Sequence, residues 1–352
     1  MWERLIQAVD RLHITNKPPS EFAWGTEFLT TEPVVNPKAF IKTFTDNNLA
    51  NSHSFFAVQQ RGNYELKGNL LSFPAPITYP HQGELNSRTY AHVYPSRGSK
   101  RAIIVVPHWS ASPSSYVSLC KALAYLGFTT VRLSLPYHQE RGVGDWQSIN
   151  GMVTANLGRT IQAVRQTVVE IRALAQWLSS VGYEKVGVFG SSIGSCCAII
   201  ADIHEPIITS LFAAHMSSYF GDVVWTGEST RHIQAALAGR VTRDELRYFW
   251  QLNSPLPFIR LLMGTNPNHF IMAGKYDRTF FSTLPNLYLR SIKNIKYRLY
   301  IRFCQQVILP FAMGRLSTIH LVRHLSIFEL HYEVPAQTLC LNPRQVSEKI
   351  DI

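Results

Sequence analysis

The sequence predicts an α/β fold built on one mostly parallel sheet, with an antiparallel N-terminal portion and a helical cap insertion. From residue 101 onward, apolar β-branched runs alternate with segments of helical periodicity, which indicates parallel strands joined by right-handed crossovers. Shorter alternating segments, separated by Pro and Gly, come before this region. Residues 219–262 interrupt the alternation and are interpreted as the cap.

The N-terminal quarter of the chain divides into two parts. Residues 1–60 are an aromatic-rich lead-in, for which we expect one or two short helices packed on the main body. The main domain is predicted over residues 61–352, and it opens with candidate antiparallel strands at 70–74 and 89–94.

The central strands are continuous apolar runs, as expected for strands buried on both faces of a sheet. They are predicted, in order, at 102–106, 129–135, 185–189, 209–215 and 269–276. Helical periodicity lies between them over 114–126, 153–178 and 193–203. Within the cap, Thr242 and Glu245 form a capping-box pattern that opens a further helix.

Composition excludes several classes of protein. The 352 residues are 46% hydrophobic and 16% charged, which supplies a large core and excludes a disordered chain. The net charge of +11 is spread out, with its densest stretch at 290–302. We interpret that stretch as a solvated face, with a peripheral membrane or lipid contact as the alternative. No nucleic-acid partner is expected, because basic and aromatic residues do not interleave in a binding motif.

Cysteine usage and hydropathy indicate a cytoplasmic protein. The five cysteines are odd in number and none has metal-ligand spacing, so no metal and no cofactor are expected. No run of about 18 apolar residues predicts a membrane span, and no signal-peptide pattern follows Met1. The sequence does not indicate an oligomeric state.

The chemical motif is Gly190-Ser191-Ser192-Ile193-Gly194, a G-x-S-x-G pattern between a predicted buried strand and a predicted helix. That strand-turn-helix context is what a nucleophile elbow requires, and it predicts the α/β-hydrolase fold. We predict that Ser192 is the nucleophile; the alternative is a Gly/Ser-rich turn without chemistry.

A nucleophilic serine also needs an oxyanion hole, a general base and an acid. Ile193, which follows the nucleophile, is expected to supply one oxyanion N–H. The loop after strand 102–106 should supply the other, with Ser110 the first choice and Trp109 the alternative. His108 in that loop is interpreted as a hydrogen-bonding brace, with the general base as the alternative, and it is also a candidate substrate contact.

The acid is predicted just past a later strand. Asp277 follows the strand at 269–276 and fits this position, whereas Asp222 is the weaker rival and a simple turn aspartate is the alternative. Other polar residues follow strands at the same sheet edge, where ligands bind in doubly wound sheets. They are candidate substrate contacts, with structural hydrogen bonding as the alternative for each: Tyr137, His138, Arg141 and His215.

Several stretches together resemble the family of alpha/beta-hydrolase-domain-containing protein 18 and its bacterial relatives. They are 22–25 (FAWG), 106–109 (VPHW), 132–138 (RLSLPYH), 156–166 (NLGRTIQAVRQ), 190–196 (GSSIGSC), 217–220 (SSYF) and 222–227 (DVVWTG). The resemblance covers roughly residues 20–285. It implies a Ser-Asp-His hydrolase fold with Ser192 and Asp277 at the nucleophile and acid positions, acting on ester- or lipid-like acyl groups.

The C-terminal part departs from this family at the place of the general base. Residues 309–315 read LPFAMGR, and the Gly-His segment that the family has nearby is missing. Three interpretations stay open. His320 or His324 substitutes as the base, with His320 the candidate carried forward; the protein is catalytically impaired; or the sequence is a damaged or mistranslated relative of an active enzyme.

The residues therefore predict a serine-dependent, lipase-like hydrolase of carboxylic or lipid-like acyl esters, acting through a Ser-Asp-His type triad. Its expected partner is a small-molecule acyl ester substrate. The alternative is a pseudoenzyme, a hydrolase relative that binds a ligand or a protein partner.

Overall fold

A nine-stranded mixed sheet forms the centre of the described part of the chain. The structure is a computed structural model, and it describes residues 20–59, 62–142, 151–262, 268–274, 277–281, 286, 288 and 297–301. The strands are β1 Glu65–Lys67, β2 Leu70–Pro74, β3 Arg88–Tyr94, β4 Arg101–Val106, β5 Thr129–Leu133, β6 Lys185–Ser191, β7 Ile208–Ala214, β8 His269–Gly274 and β9 Tyr297–Ile301.

Helices cover the sheet and make up most of residues 219–262, which lie between β7 and β8 and are called the inserted region below. The α-helices are α1 Pro37–Ala50, α2 Ser52–Phe55, α3 Val117–Tyr125, α4 Leu157–Ser180, α5 Ile193–His204, α6 Phe220–Thr226, α7 Arg231–Leu237 and α8 Arg243–Phe249. Short 3-10 helices lie at Thr26–Phe28, Glu84–Asn86, Gln139–Arg141, Glu228–Thr230, Gln251–Asn253 and Leu256–Leu262. Among the described helices, none is long and apolar enough to cross a bilayer.

The strand order is β1-β2-β3-β5-β4-β6-β7-β8-β9. Strands β1, β2 and β3 pair antiparallel, and β3 is antiparallel to β5. From β5 to β9 every pairing is parallel. This order confirms the predicted mixed sheet with an antiparallel N-terminal portion. The basic stretch at 290–302 is partly strand, because β9 extends the sheet beside β8.

The core strands are buried on both faces, as their continuous apolar sequences predict. Ile104, Val131 and Val188 are adjacent in β4, β5 and β6 and are at most 2% exposed. Helix α5 packs against this layer and contains Cys196 and Cys197, both fully buried. Burial raises the pKa of the Cys196 thiol to about 11, so it behaves as a small core residue.

The lead-in from Ser20 onward contacts the start of α4. Leu157 N–H donates to the Ala23 carbonyl at 3.0 Å, and Gly158 N–H donates to the Trp24 carbonyl at 3.0 Å. A Cβ on Gly158 would lie 1.9 Å from the Gly25 carbonyl oxygen, so only glycine permits this approach. The first helical N–H groups of α4 are thereby satisfied by the lead-in.

The inserted region packs on the body through apolar side chains. The predicted capping box is confirmed: Glu245 N–H donates to Thr242 Oγ1 at 3.2 Å, and Thr242 N–H donates to the Glu245 carboxylate at 2.8 Å. Trp250, just beyond α8, is fully buried and its indole N–H donates to the Leu157 carbonyl at 3.3 Å. Phe249 is also buried, and its carbonyl accepts the Thr45 hydroxyl at 3.1 Å.

A buried ion pair ties the antiparallel part of the sheet to α4. Arg141 donates from both terminal nitrogens to the Glu170 carboxylate at 2.8 Å each, and both side chains are 0% exposed. Thr89 Oγ1 and Gln166 Nε2 donate to the same carboxylate at 2.9 and 2.8 Å. Arg141 also donates to the Ser134 carbonyl at 3.1 Å. Because every charge has a partner, this network tolerates complete burial.

We predict that Arg141→Met lowers the free energy of unfolding by about 3–5 kcal/mol, because it leaves the Glu170 carboxylate buried without a cation. Urea denaturation followed by circular dichroism measures this change. The double variant Arg141→Met/Glu170→Leu is the control, and it should lose less than the single variant because no buried charge remains. Equal stability of wild type and the single variant would contradict the prediction.

His204 ends α5 inside an aromatic cluster. Its Nδ1–H donates to the Ile200 carbonyl at 2.7 Å, and Nε2 accepts the Ser52 hydroxyl at 3.1 Å. The centroid of its ring lies 5.0 Å from that of Phe56 and 5.2 Å from that of Phe258. Burial lowers the pKa of His204 from 6.5 to about 4, so the folded protein holds this imidazole neutral.

Between about pH 6.5 and 4, the unfolded chain binds a proton at His204 that the folded chain does not bind. The neutral His204 therefore contributes fully to the free energy of unfolding above pH 6.5. This contribution, up to about 3 kcal/mol, is lost on acidification. We expect His204→Gln to show a flatter dependence of the unfolding free energy on pH over this window. Urea denaturation of both proteins at several pH values tests this, and identical slopes would refute it.

Candidate functional site

The central feature of the candidate site is the turn between β6 and α5, which holds Ser192. Ser191 is the last residue of β6, Ile193 is the first of α5, and Ser192 between them has φ 59° and ψ −128°. A positive φ is uncommon for a residue with a side chain and persists only where surrounding structure enforces it. Because β6 is hydrogen-bonded to β4 on one side and β7 on the other, the turn stands at the middle of the carboxyl edge of the sheet.

The two motif glycines permit the close contact of strand and helix. A Cβ on Gly190 would lie 2.4 Å from the Gly194 carbonyl oxygen. A Cβ on Gly194 would lie 2.3 Å from the Pro107 carbonyl oxygen and 2.5 Å from that of Val106. Any side chain at either position would therefore separate α5 from β6 or from the end of β4.

Ser192 is anchored by its backbone. Its N–H donates to the Ala214 carbonyl at 2.9 Å, and its carbonyl accepts the Ser195 hydroxyl at 2.5 Å. The residue is 7% exposed, and no described residue hydrogen-bonds to its Oγ. The N–H of Ile193, as the first residue of α5, has no acceptor within the helix.

Asp277 follows β8 at the same edge. Its Oδ1 accepts the N–H groups of Thr279 at 2.8 Å and Phe280 at 2.7 Å, which orients the carboxylate. The residue is 3% exposed, and its second oxygen, Oδ2, faces the histidine that follows β7.

That histidine is His215, which the sequence suggested only as a substrate contact. Its Nδ1 lies 2.8 Å from Asp277 Oδ2, and the imidazole is 0% exposed. The two atoms are at ion-pair distance but are not aligned as a hydrogen bond. Its backbone is fixed at φ 56° by an N–H bond of 2.8 Å to the Met272 carbonyl. The signal available in the sequence was its position directly after a core strand.

The loop after β4 is held by two neighbouring polar contacts. His108 Nδ1 shares a hydrogen bond of 2.7 Å with the hydroxyl of buried Tyr116. Ser110, at φ 63°, donates its N–H to His138 Nε2 at 3.0 Å. Trp109 stacks on His232 of α7, with ring centroids 5.9 Å apart. The Ser110 N–H, our first choice as second oxyanion donor, is therefore already engaged.

His138 is a neutral hydrogen-bond acceptor in this arrangement. Its Nδ1–H donates to the Pro136 carbonyl at 2.8 Å, which leaves Nε2 unprotonated for the Ser110 N–H. Burial lowers the pKa of His138 to about 4, so this tautomer persists at neutral pH. The structure places His138 in the support of the loop rather than at a free surface.

Three other candidate residues have polar partners of their own. Arg141 is buried against Glu170, as described above. Tyr137 has φ 66° and donates its N–H to Asn86 Oδ1 at 3.0 Å. Asp222, the rival acid, is held in α6 by Arg243 at 3.1 Å and by Arg247 at 3.0 Å. His320 lies outside the described residues, as does His324.

A cavity of about 220 Å³ lies at the opposite edge of the sheet. Arg101, Lys185, Thr209 and Asn268 line it, and they stand at the starts of β4, β6, β7 and β8. Because Ser192 follows the end of β6, this cavity is separate from the candidate site. Among the described residues, no group of His, Cys, Asp and Glu side chains is arranged as a set of metal ligands.

The architecture is similar to that of solved hydrolase structures. Acetyl xylan esterase 1 from Thermoanaerobacterium sp. JW/SL YS485 matches with a TM-score of 0.55 at 14% identity, over 87% of this chain and 97% of the esterase. Pyrococcus furiosus esterase Pf2001 matches with a TM-score of 0.51 at 14% identity, over 75% and 92% of the two chains. Pyrococcus horikoshii acylaminoacyl peptidase matches with a TM-score of 0.52 at 9% identity, over 71% of this chain and 41% of the peptidase.

A scan against protein-family models finds no match to the chain, and a search of curated protein sequences finds none either. At identities this low, the structural likeness establishes the architecture only. The chain has the α/β-hydrolase fold.

Proposed function

We propose that the protein is a serine-dependent hydrolase of acyl esters, in which Ser192 is the nucleophile and Asp277 the acid. The observation that carries this proposal is the strained strand-turn-helix at Ser192, with φ 59° between two glycines that admit no side chain. A nucleophile elbow requires a strand-turn-helix of this kind, so the geometry supports Ser192 as the nucleophile. Strain of this kind at one polar residue is characteristic of catalytic positions.

The surroundings of the turn support acyl transfer. Attack by a serine hydroxyl on an acyl carbon forms a tetrahedral oxyanion, which needs N–H donors near the nucleophile. The Ile193 N–H at the start of α5 is suitably placed, and the dipole of that helix adds a partial positive charge. With the Ser110 N–H engaged by His138, Trp109 is proposed as the second donor.

Asp277 has the features of a triad acid. Two backbone N–H groups hold one oxygen at 2.7 and 2.8 Å and leave the other oxygen to orient an imidazole. Asp222 is less suited, because two arginines already neutralise its carboxylate.

Ester substrates are proposed on two grounds. Structures of the same fold include an acetyl xylan esterase and a second esterase. The motif stretches resemble a family expected to act on ester- or lipid-like acyl groups, and this narrower relation stays a prediction from sequence. The inserted helices reach the loop after β4 through the Trp109–His232 stack, so they are placed to shape an acyl pocket.

The nucleophile is tested with Ser192→Ala, using Ser191→Ala as the matched control. Ser191 is the last residue of β6, before the turn, and it has no part in the proposed reaction, so removal of its hydroxyl should leave catalysis intact. We expect wild type and Ser191→Ala to hydrolyse p-nitrophenyl butyrate and to be labelled by a fluorophosphonate, whereas Ser192→Ala does neither.

Equal labelling of all three proteins would overturn the proposal. Absence of turnover in a folded wild type, combined with saturable binding of an acyl ligand, would instead favour the catalytically impaired relative.

The acid is tested with Asp277→Asn, using Asp222→Asn as the control. Loss of the carboxylate removes the group that orients the imidazole, and we expect kcat to fall by about 10⁴-fold. Asp222→Asn should stay within a few-fold of wild type. Steady-state ester hydrolysis measures both, and a larger loss in Asp222→Asn would assign the acid to Asp222.

A further inference from the structure

We propose that His215 is the general base that activates Ser192, so that the residue after β7 supplies the function that the sequence suggested for His320. This inference rests on the proposed function, since it assigns a base to that same nucleophile. The geometry that carries it is the juxtaposition of Ser192, His215 and Asp277 at three neighbouring strand ends.

The backbone places Ser192 and His215 side by side. Ser191 is the register partner of Ala214 in the parallel pairing of β6 and β7. The Ser192 N–H continues that pairing to the Ala214 carbonyl at 2.9 Å, so the next residue of β7's chain, His215, stands across from Ser192. Neighbouring strands lie about 4.8 Å apart, a separation that an imidazole side chain spans.

Asp277 fixes the proton on His215. Its Oδ1 is saturated by two backbone N–H groups, so only Oδ2 is left to accept, and it lies 2.8 Å from His215 Nδ1. The carboxylate therefore favours the tautomer that carries hydrogen on Nδ1, which leaves the lone pair on Nε2. The present misalignment is the kind that catalytic hydrogen bonds show before substrate binds.

His215 Nε2 is a buried nitrogen with no hydrogen-bond partner among the described residues. A buried acceptor left in this state is costly, and its presence calls for a donor that arrives during function. Ser192 Oγ–H is the neighbouring donor, and it also has no partner among the described residues.

Two other histidines of this edge, His108 and His138, already use ring nitrogens in hydrogen bonds within the protein. His108 Nδ1 is bonded to the Tyr116 hydroxyl. His138 uses Nδ1–H for the Pro136 carbonyl and Nε2 for the Ser110 N–H. None of these bonds involves Asp277, whereas His215 Nδ1 lies 2.8 Å from Asp277 Oδ2.

The proton balance of the reaction is then complete. His215 Nε2 takes the Ser192 hydroxyl proton while Oγ bonds to the acyl carbon, and the resulting imidazolium is stabilised by the Asp277 carboxylate. The same proton passes to the departing alkoxide as the ester C–O bond breaks, which leaves an acyl-serine. A water molecule next gives a proton to Nε2 and attacks the acyl carbon; the proton returns to Ser192 Oγ as the carboxylic acid leaves.

The decisive experiment compares His215→Ala with a double variant, His320→Ala/His324→Ala, in the full chain. We expect His215→Ala to lower kcat/KM for p-nitrophenyl butyrate by about 10⁴-fold, close to the loss in Ser192→Ala. The double variant should stay within about threefold of wild type. Added imidazole should restore part of the rate in His215→Ala, by occupying the space of the lost ring, and none in Ser192→Ala.

Each outcome decides between the alternatives. If the double variant is as inactive as Ser192→Ala, or if folded His215→Ala keeps a tenth or more of the wild-type rate, His215 is not the base, and the nucleophile assignment survives. If wild type itself shows no Ser192-dependent turnover or labelling, the proposed function fails first. Because His215 is buried, His215→Gln replaces His215→Ala if the alanine variant does not fold. In that case His215 is not the base if folded His215→Gln keeps a tenth or more of the wild-type rate, or if the double variant is as inactive as Ser192→Ala.

Discussion

The close approach of β6 to α5 is the constraint on which the rest of the structure depends. Gly190 and Gly194 bring the strand, the helix and the end of β4 together at distances that exclude a Cβ. The chain can turn this sharply only if Ser192 takes a positive φ, at a cost of about 1–3 kcal/mol. Burial of β6 between two hydrogen-bonded neighbours offsets that strain, because relaxing the turn would break the pairing on both sides.

The same sheet brings polar groups from distant parts of the sequence to one edge. Parallel strands end at the same side, so the loops after β4, β5, β7 and β8 begin at the same edge of the sheet as Ser192. Most of their polar atoms are held by other protein groups: His108 by Tyr116, His138 by Pro136 and Ser110. Such hydrogen bonds rigidify the loops, as the proposed acyl transfer requires of groups that must be in place before substrate arrives.

Away from the candidate site, buried charged side chains form ion pairs with side chains of opposite charge. Arg141 and Glu170 neutralise each other beneath the antiparallel strands, and Asp222 is neutralised by two arginines in the inserted region. The Asp277 carboxylate is different, because its partners are two backbone N–H groups and an imidazole. In the proposed acyl transfer, this carboxylate faces the imidazolium that forms at His215.

The sequence by itself determined the elements whose signals are local. Apolar runs located the core strands, the capping box located α8, and the glycine spacing located the turn at Ser192, because each depends on residues close together in the chain. Only the tertiary structure decided which groups meet. It paired Arg141 with Glu170, joined the Ser110 N–H to His138, and set His215 against Asp277. The two residues of the last pair, His215 and Asp277, are 62 positions apart in the sequence. Their meeting depends on strand order and register, which no local pattern encodes.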